Sequence, residues 1–152
     1  MNLYFFRHGK ADWPDWNKPD DERPLTKEGK KEVRKVARLL DQLGVEPFIL
    51  TSPLPRASQT AEIAAEILDA ELREEKKLEP GFNATALKQL LRQLSEENLM
   101  VVGHEPDFSG AIRELTGGRI KLSKAGVAFV DLDESIMSGE LRWLLPPKIA
   151  RL

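Results

Sequence analysis

Four side chains are candidates for catalysis or ligand binding: Arg7, His8, Arg56 and His104. They include both histidines of the chain. Each follows a short, continuously apolar run, at 3–6, 48–50 or 99–102. Continuous apolarity over so few residues is typical of a central strand that is covered on both faces. The four side chains are therefore expected just beyond the ends of three buried strands.

These positions predict a pocket for a phosphate group. In open α/β sheets, ligands bind at the carboxyl ends of the strands, because loops and helix N-termini converge there. Arg56 is expected in the first turn of a helix, where free amide groups and the helix dipole favour an anion. Each residue alone also has a structural explanation, as a solvated arginine or a hydrogen-bonded histidine of the core. Their joint placement after three separate strands favours the phosphate pocket.

The elements that would position these residues alternate between strand and helix. Thr26 is expected to cap the first helix and Gly44 to end it. Ser52 is expected to cap the second helix, with Pro53 at its first helical position. Apolar spacing predicts three further elements, which are helices over 85–94 and 106–115 and a weaker strand over 72–78. This alternation predicts an α/β layered fold with a mostly parallel sheet and helices on both faces.

The last part of the chain has a different pattern. Segments 127–132 and 141–145 alternate between apolar and polar residues, and 133–139 between them supplies turn residues. This pattern predicts a C-terminal antiparallel hairpin. With 152 residues and neither an internal repeat nor a linker, the chain is expected to form a single domain over 1–152.

The composition excludes several classes of protein. A hydrophobic fraction of 41% and a net charge of -2 are typical of a soluble globular protein with no bulk attraction to nucleic acid or membrane. The absence of cysteine excludes a disulfide framework, a thiolate nucleophile and a thiolate zinc site. The N-terminal apolar run meets Arg7 too early for a signal peptide, and no run approaches the ~20 residues of a membrane span. We therefore expect a cytoplasmic protein.

Four motifs, in order, give the chain a resemblance to a known family. They are Arg7-His8-Gly9, Arg23-Pro24-Leu25-Thr26-Lys27-Glu28-Gly29, Thr51-Ser52-Pro53-Leu54-Pro55-Arg56-Ala57-Ser58-Gln59-Thr60-Ala61 and Val101-Val102-Gly103-His104. This set resembles the histidine phosphatase, or phosphoglycerate-mutase-like, superfamily and covers essentially the whole chain. The short length and the absence of lid insertions are most similar to the SixA-type phosphohistidine phosphatases within it.

The resemblance implies a three-layer phosphoglycerate-mutase-like fold and a metal-independent phosphatase. His8 would attack phosphorus and become phosphohistidine, which water then hydrolyses. Arg7, Arg56 and His104 would hold the phosphoryl oxygens and offset their charge. His8 must be neutral at the attacking nitrogen, so its other ring nitrogen is expected to donate to a backbone carbonyl. No metal and no cofactor are expected, because the arginine side chains already offset the charge of the phosphoryl group.

The general acid is the point where the sequence departs from the family pattern. Many members carry a carboxylic acid in the segment equivalent to 79–85, and the candidate here is Glu79, although its spacing fits the pattern poorly. Glu105 and Asp12 are further options, each also explained as a solvated loop carboxylate. A site without a placed acid can still expel imidazole, whose conjugate acid has a pKa of about 6.5, far below that of an alcohol. The missing acid therefore favours phosphohistidine as the substrate.

Three hypotheses for the function remain at this point. The first is a phosphatase that acts on phosphohistidine in proteins, and the second is a phosphatase of small phosphomonoesters with the same catalytic core. The third is a phosphate-binding module without turnover, which is disfavoured because a pure binder would need only cations and not His8. The expected partner is accordingly a phosphorylated protein or a small phosphomonoester, bound by a monomer.

Overall fold

The computed structural model describes residues 1–151, in which strands and helices alternate. The strands are β1 (Asn2–Arg7), β2 (Phe48–Thr51), β3 (Leu72–Glu74), β4 (Asn98–Gly103), β5 (Val127–Asp133) and β6 (Ser138–Leu145). The α-helices are α1 (Lys27–Gln42), α2 (Pro55–Leu68), α3 (Ala84–Leu91) and α4 (Asp107–Thr116). Short 3-10 helices lie at Asp20–Glu22, Lys76–Leu78 and Pro147–Arg151. Within 1–151, no helix has the length and apolarity needed to cross a membrane.

One sheet joins the six strands in the order β3-β2-β4-β1-β5-β6. The first four strands of that order are parallel to one another, whereas β5 is antiparallel to β1 and β6 is antiparallel to β5. The predicted mostly parallel sheet with a C-terminal antiparallel hairpin is confirmed. Because helices cover β1, β2 and β4 on both sides, these three strands have no polar face, which explains their continuous apolar runs. The edge strand β3 is short and largely exposed.

Helices on both faces of the sheet form the outer layers, and two apolar cores lie between them. On one face, α1 and α2 bury Val33, Leu40 and Ala61 against Tyr4 and Phe6 of β1. On the other face, α3 and α4 pack against the alternate side chains of β1, Leu3 and Phe5. The ring of Phe108 on α4 meets Phe5 edge to face at 5.2 Å between centroids. The three-layer α/β fold is therefore also confirmed.

The start of α2 differs from the prediction. Ser52 does not cap this helix and Pro53 is not its first residue; Leu54 is the N-cap and Pro55 takes the first helical position. Leu54 precedes a proline, and the proline ring keeps the residue before it out of the helical conformation. The helix therefore begins one proline later than predicted, which leaves the Ser52 side chain available for another contact.

Two boundaries near the middle of the chain also differ. The strand predicted over 72–78 ends at Glu74, because the Glu75 side chain accepts a hydrogen bond from the amide of Lys77 at 3.0 Å and begins a 3-10 helix there. The helix predicted over 85–94 occupies Ala84–Leu91, with Asn83 as its N-cap. The cap side chain accepts from the Ala86 amide at 2.9 Å.

Candidate active site

The predicted polar clusters lie at one edge of the sheet, beyond the carboxyl ends of β1, β2 and β4. Arg7 ends β1 and pairs in register with Gly103, the last residue of β4, so His8 and His104 both leave the sheet at the same level. The ring centroids of His8 and His104 are 5.4 Å apart. Arg56 lies in the first turn of α2, where its charge acts on both histidines. The structure thus places the four side chains around one site.

His8 is held in one ring orientation by the backbone. Its Nδ1 lies 2.7 Å from the carbonyl oxygen of Gly9. A carbonyl oxygen only accepts hydrogen bonds, so Nδ1 carries the proton of the neutral ring and Nε2 carries the lone pair. The side chain is buried, with 8% of the residue exposed. His8 therefore presents a neutral, oriented nitrogen that can act as a nucleophile.

His104 is oriented by a buried hydroxyl group. Its Nε2 lies 2.8 Å from Oγ of Ser52, which also accepts from the amide of Leu54 at 3.3 Å. Nδ1 of His104 is buried and has no hydrogen-bond partner within residues 1–151. Because Oγ of Ser52 already accepts from the Leu54 amide, we assign its own proton to the bond with Nε2, and in that tautomer Nδ1 of His104 carries the ring proton. A buried, unpartnered N–H beside His8 is suited to donate to an oxygen of a bound phosphoryl group.

The two arginines keep most of their hydrogen-bonding capacity for an anion. Nη1 of Arg7 donates to the carbonyl of Leu122 at 2.9 Å, while its Nε is buried without a hydrogen-bond partner within the described residues. Arg56 is buried, and its Nη1 lies 3.4 Å from the carbonyl oxygen of Asp20. Each guanidinium carries five N–H donors in a fixed fork. Both can therefore bind the oxygens of one phosphate.

The turn after His8 is fastened to the two helices of its layer. The amide of Gly9 donates to Oγ1 of Thr60 at 3.0 Å, and the same hydroxyl donates to the carbonyl of Arg56 at 2.8 Å. A Cβ on Gly9 would lie 2.6 Å from Cγ2 of Val33 on α1, so only glycine lets this helix approach so closely. These contacts hold the turn that carries His8 at a set position relative to Arg56.

Two loops meet at the rim of the site through ion pairs. Nζ of Lys124, in the loop 117–126, lies 2.5 Å from Oδ2 of Asp12, in the loop 10–24. Nη1 of Arg23 lies 3.7 Å from Oδ1 of the same carboxylate. Asp12 therefore joins two loops that are more than 100 residues apart in sequence. The amide of Ala125, the residue after Lys124, donates to the carbonyl of His8 at 3.1 Å, which places this contact close to His8.

The three carboxylates considered as general acids differ in their surroundings. The hydrogen bond from Lys124 lowers the pKa of Asp12, so this group is ionised at neutral pH and has no proton to donate. Both oxygens of Glu105 accept from Ser109, one from its amide at 2.7 Å and the other from its hydroxyl. The Glu79 carboxylate, which is half-buried, forms no hydrogen bond or ion pair within residues 1–151. Of the three, Glu79 alone keeps an unengaged carboxylate.

Comparison with known proteins decides the family. The model of the histidine phosphatase superfamily, branch 1, matches residues 3–80, a span that includes His8 and Arg56. An uncharacterized protein of Picosynechococcus is 37% identical over 96% of this chain and 100% of its own length. The chain belongs to the histidine phosphatase superfamily.

Solved structures with a similar fold agree with this family assignment. The protein histidine phosphatase SixA, complexed with tungstate, superposes with a TM-score of 0.87 at 29% identity, over 98% of this chain and 99% of that one. A phosphoserine phosphatase from Entamoeba histolytica, in complex with 3-phosphoglyceric acid, superposes with a TM-score of 0.73 over 95% of this chain and 96% of its own. At 19% identity, the second likeness shows the fold alone.

Sequence reasoning missed three groups that support the site of this histidine phosphatase. Ser52 orients His104, Thr60 binds the turn after His8, and the carbonyl of Leu122 holds Arg7. Ser52 and Thr60 lie within one of the four motifs, so their positions in that motif were an available signal. The loop that contains Leu122 belongs to none of the four motifs, and the sequence offered no sign of this contact.

Burial and neighbouring cations keep both histidines of the site neutral. Burial lowers the pKa of His8 to about 4, and the charges of Arg56, Arg7 and Lys124 act in the same direction against the hydrogen bond to Gly9. For His104, burial, His8 and then the two arginines lower the pKa to about 3. Both rings are therefore uncharged over the physiological pH range.

The pH dependence of kcat/KM tests this environment. We expect no acid limb near the usual histidine pKa of about 6.5; activity should fall only as the pH drops through about 4, where His8 gains a proton and loses its lone pair. The measurement is kcat/KM between pH 3.5 and 8, corrected for ionisation of the substrate. Arg56→Gln should move the acid limb to higher pH, because Arg56 lowers the pKa of His8. A limb centred near 6.5 in the wild type would contradict the buried, cation-flanked setting.

Proposed function

We propose that this protein is a metal-independent phosphatase that hydrolyses phosphohistidine on proteins, through a phosphohistidine intermediate on its own His8. The observation that carries the proposal is the state of the site: a neutral nucleophile fixed by Gly9, surrounded by cations, with Asp12 ionised and Glu105 engaged by Ser109. The likeness to the protein histidine phosphatase SixA supports the same substrate class.

The first step transfers the phosphoryl group to His8. The lone pair on Nε2 attacks phosphorus, and the bond between phosphorus and the substrate's ring nitrogen breaks with its electron pair going to that nitrogen. If the other nitrogen of the substrate ring carries a proton, the group leaves as neutral imidazole. Arg7, Arg56 and the Nδ1–H of His104 donate to the phosphoryl oxygens, where charge is held in the transition state.

The second step returns the enzyme to its starting state. Water attacks phosphorus, and the Nε2–P bond breaks with its electrons returning to Nε2. Because Nδ1 of His8 keeps its proton through the hydrogen bond to Gly9, His8 leaves as neutral imidazole. The proton lost by water goes to phosphate or solvent. Both steps thus expel the same kind of leaving group, and neither depends on a carboxylic acid.

The substrate preference follows from this leaving-group chemistry. We expect a phosphohistidine peptide and p-nitrophenyl phosphate to react at least about 10²-fold faster than a phosphoserine peptide or a sugar phosphate, because proton donation contributes on that scale for basic leaving groups. The measurement is kcat/KM for the four substrates in buffer with EDTA, which tests the metal-free proposal at the same time. Loss of activity in EDTA, with recovery on adding Mg²⁺ or Zn²⁺, would contradict it.

Glu79→Gln distinguishes this function from the second candidate, a phosphatase of small phosphomonoesters. The unengaged carboxylate of Glu79 favours that candidate if it reaches the leaving group. On our proposal, Glu79→Gln leaves the phosphohistidine rate within about twofold, and the exposed Glu74→Gln serves as the matched control. If alkyl phosphates are the fastest substrates and Glu79→Gln abolishes their hydrolysis, while Glu74→Gln does not, the second candidate replaces the first.

The proposal also covers the cellular location, the oligomeric state and the partner of the protein. We take the protein to act in the cytoplasm, as a monomer, on a phosphorylated protein rather than on nucleic acid or at a membrane. Supporting this setting are the cysteine-free composition and the net charge of -2. Within residues 1–151, no group of three or more histidine, cysteine or acidic side chains is arranged to hold a metal ion.

A further inference from the structure

The exposed side of α1 concentrates positive charge in one strip. Six cations lie on this helix, and we call them together the α1 basic face: Lys27, Lys30, Lys31, Arg34, Lys35 and Arg38. At 100° per residue, they fall within an arc of about 140° and extend over about 17 Å of the helix axis. The opposite side of the helix packs in the core, where Val33 and Leu40 are fully buried. The strip is thus a continuous basic surface.

This surface begins beside the nucleophile. The carbonyl of Lys10, two residues after His8, accepts from the amide of Thr26 at 2.9 Å, and Thr26 is the N-cap of α1. Gly29, in the first turn, packs so closely that a Cβ there would overlap the backbone of Lys10. The helix then runs from the carboxyl edge of the sheet towards its amino edge. The α1 basic face therefore leads away from the rim of the active site.

The rest of the molecule has the opposite charge. Six cations and three acids give α1 a net charge of +3 in a chain of net charge -2, so the remainder carries -5. At the amino edge of the sheet, a groove of about 540 Å³ has six acids in its lining: Asp41, Glu46, Asp69, Glu71, Glu96 and Glu97. The positive charge is thus concentrated on α1, whereas loop 10–24 at the rim of the site carries five acids and three cations, so an acidic partner would be steered to the helix.

We propose that the α1 basic face is the docking surface for an acidic surface that surrounds the phosphohistidine of the substrate protein. This inference rests on the proposed function and adds a recognition element to it. On the proposed function, the four pocket side chains would contact only a phosphoryl group, which every phosphohistidine shares, so discrimination between proteins must come from contacts outside the pocket. Complementary charge beside the pocket raises the association rate and fixes the orientation of the partner.

An anionic membrane fits this surface less well than a protein does. A helix that lies in a membrane interface must insert an apolar face. Four of the five apolar residues of α1 are committed to the core: Val33, Val36, Ala37 and Leu40 are fully buried, and only Leu39 is partly exposed. The remaining charge of -5 also disfavours a partner whose negative charge extends beyond this face, such as a bilayer.

The test compares two phosphohistidine peptides that differ only in charge. One carries five glutamates on each side of the phosphohistidine and the other five glutamines, because five extended residues span about 17 Å, the length of the basic face. We expect the wild type to show about a tenfold higher kcat/KM for the acidic peptide at low salt, and this preference to disappear at high salt. Preference for neither peptide would overturn the proposal.

A variant with four neutralised cations tests whether the preference for the acidic peptide arises from the α1 basic face. The variant K27Q/K31Q/R34Q/R38Q should lose the roughly tenfold preference, with unchanged rates on the glutamine peptide and on p-nitrophenyl phosphate. The control K88Q/R92Q/R113Q/R142Q removes the same number of exposed cations outside α1 and should keep the preference. Equal loss in both variants would show an effect of net charge alone and overturn the docking assignment.

Two further outcomes distinguish the docking proposal from the proposed function and from binding to a membrane. If neither phosphohistidine peptide is hydrolysed while p-nitrophenyl phosphate is, the proposed function fails and the docking proposal fails with it. If both peptides are hydrolysed at equal rates, the proposed function stands and the docking proposal alone is wrong. In that case, sedimentation of the wild type, but not of the α1 variant, with vesicles of equal parts phosphatidylserine and phosphatidylcholine would assign the basic face to a membrane.

Discussion

Replacing His8 by alanine is expected to lower turnover of every substrate by about 10⁴-fold or more, because the covalent step loses its attacking nitrogen. In the wild type, rapid mixing with a labelled phosphodonor and quenching should trap label on His8. That label should be stable in base and labile in acid, as expected of a bond between phosphorus and nitrogen. The measurements are steady-state rates and peptide mapping of the trapped label.

The control for this variant is phosphate binding without turnover. His8→Ala leaves Arg7, Arg56 and His104 in place, so inorganic phosphate should still bind, as measured by titration calorimetry. Near wild-type turnover by His8→Ala would show that the mechanism is wrong. Phosphate binding by a wild-type protein that turns over none of the substrates would instead support the phosphate-binding module.

Arg56→Ala is expected to lower kcat by about 10²-fold to 10³-fold, the scale on which removal of one transition-state donor acts. The side chain is buried in the first turn of α2, where its charge lowers the pKa of both His8 and His104. Arg56→Lys keeps the charge but loses the two-pronged hydrogen bond, so its rate should fall between those of the wild type and Arg56→Ala. The measurement is kcat and KM for each variant.

Arg113→Ala serves as the matched control, because Arg113 is exposed on α4 and lies outside the site. Its rates should equal those of the wild type. An Arg56→Ala variant in which KM rises while kcat is unchanged would show that Arg56 binds substrate and transition state equally, and would remove it from the transition-state role.

These two variants test different parts of one arrangement. On the proposed mechanism, His8 supplies a nucleophile that needs to be neutral, whereas Arg56 supplies a charge that needs to be permanent. Burial serves both needs: it lowers the pKa of His8 to about 4, and it removes water that would otherwise compete for the guanidinium. The general acid is the least developed part of the site, because Lys124 keeps Asp12 ionised and Ser109 engages Glu105. Of the three candidates, only the Glu79 carboxylate is unengaged.

Much of the fold follows from local patterns. The buried strands 3–6, 48–50 and 99–102 are apolar without interruption because a parallel sheet is covered on both faces, and this signal does not depend on distant residues. The end of each run also indicates where the polar side chains leave the sheet. The start of α2 was predicted wrongly because the pattern contains two prolines, and only the second of them, Pro55, begins the helix.

The sequence by itself thus indicated four candidate side chains, Arg7, His8, Arg56 and His104, and the edge of the sheet at which the structure brings them together. The tertiary structure alone decided how they are oriented and which carboxylates are engaged. Ser52 lies 52 residues from His104, and Asp12 lies 112 residues from Lys124. Hydrogen bonds between such distant residues depend on where loops end after the layers pack. Helical and strand periodicity carries no information about that.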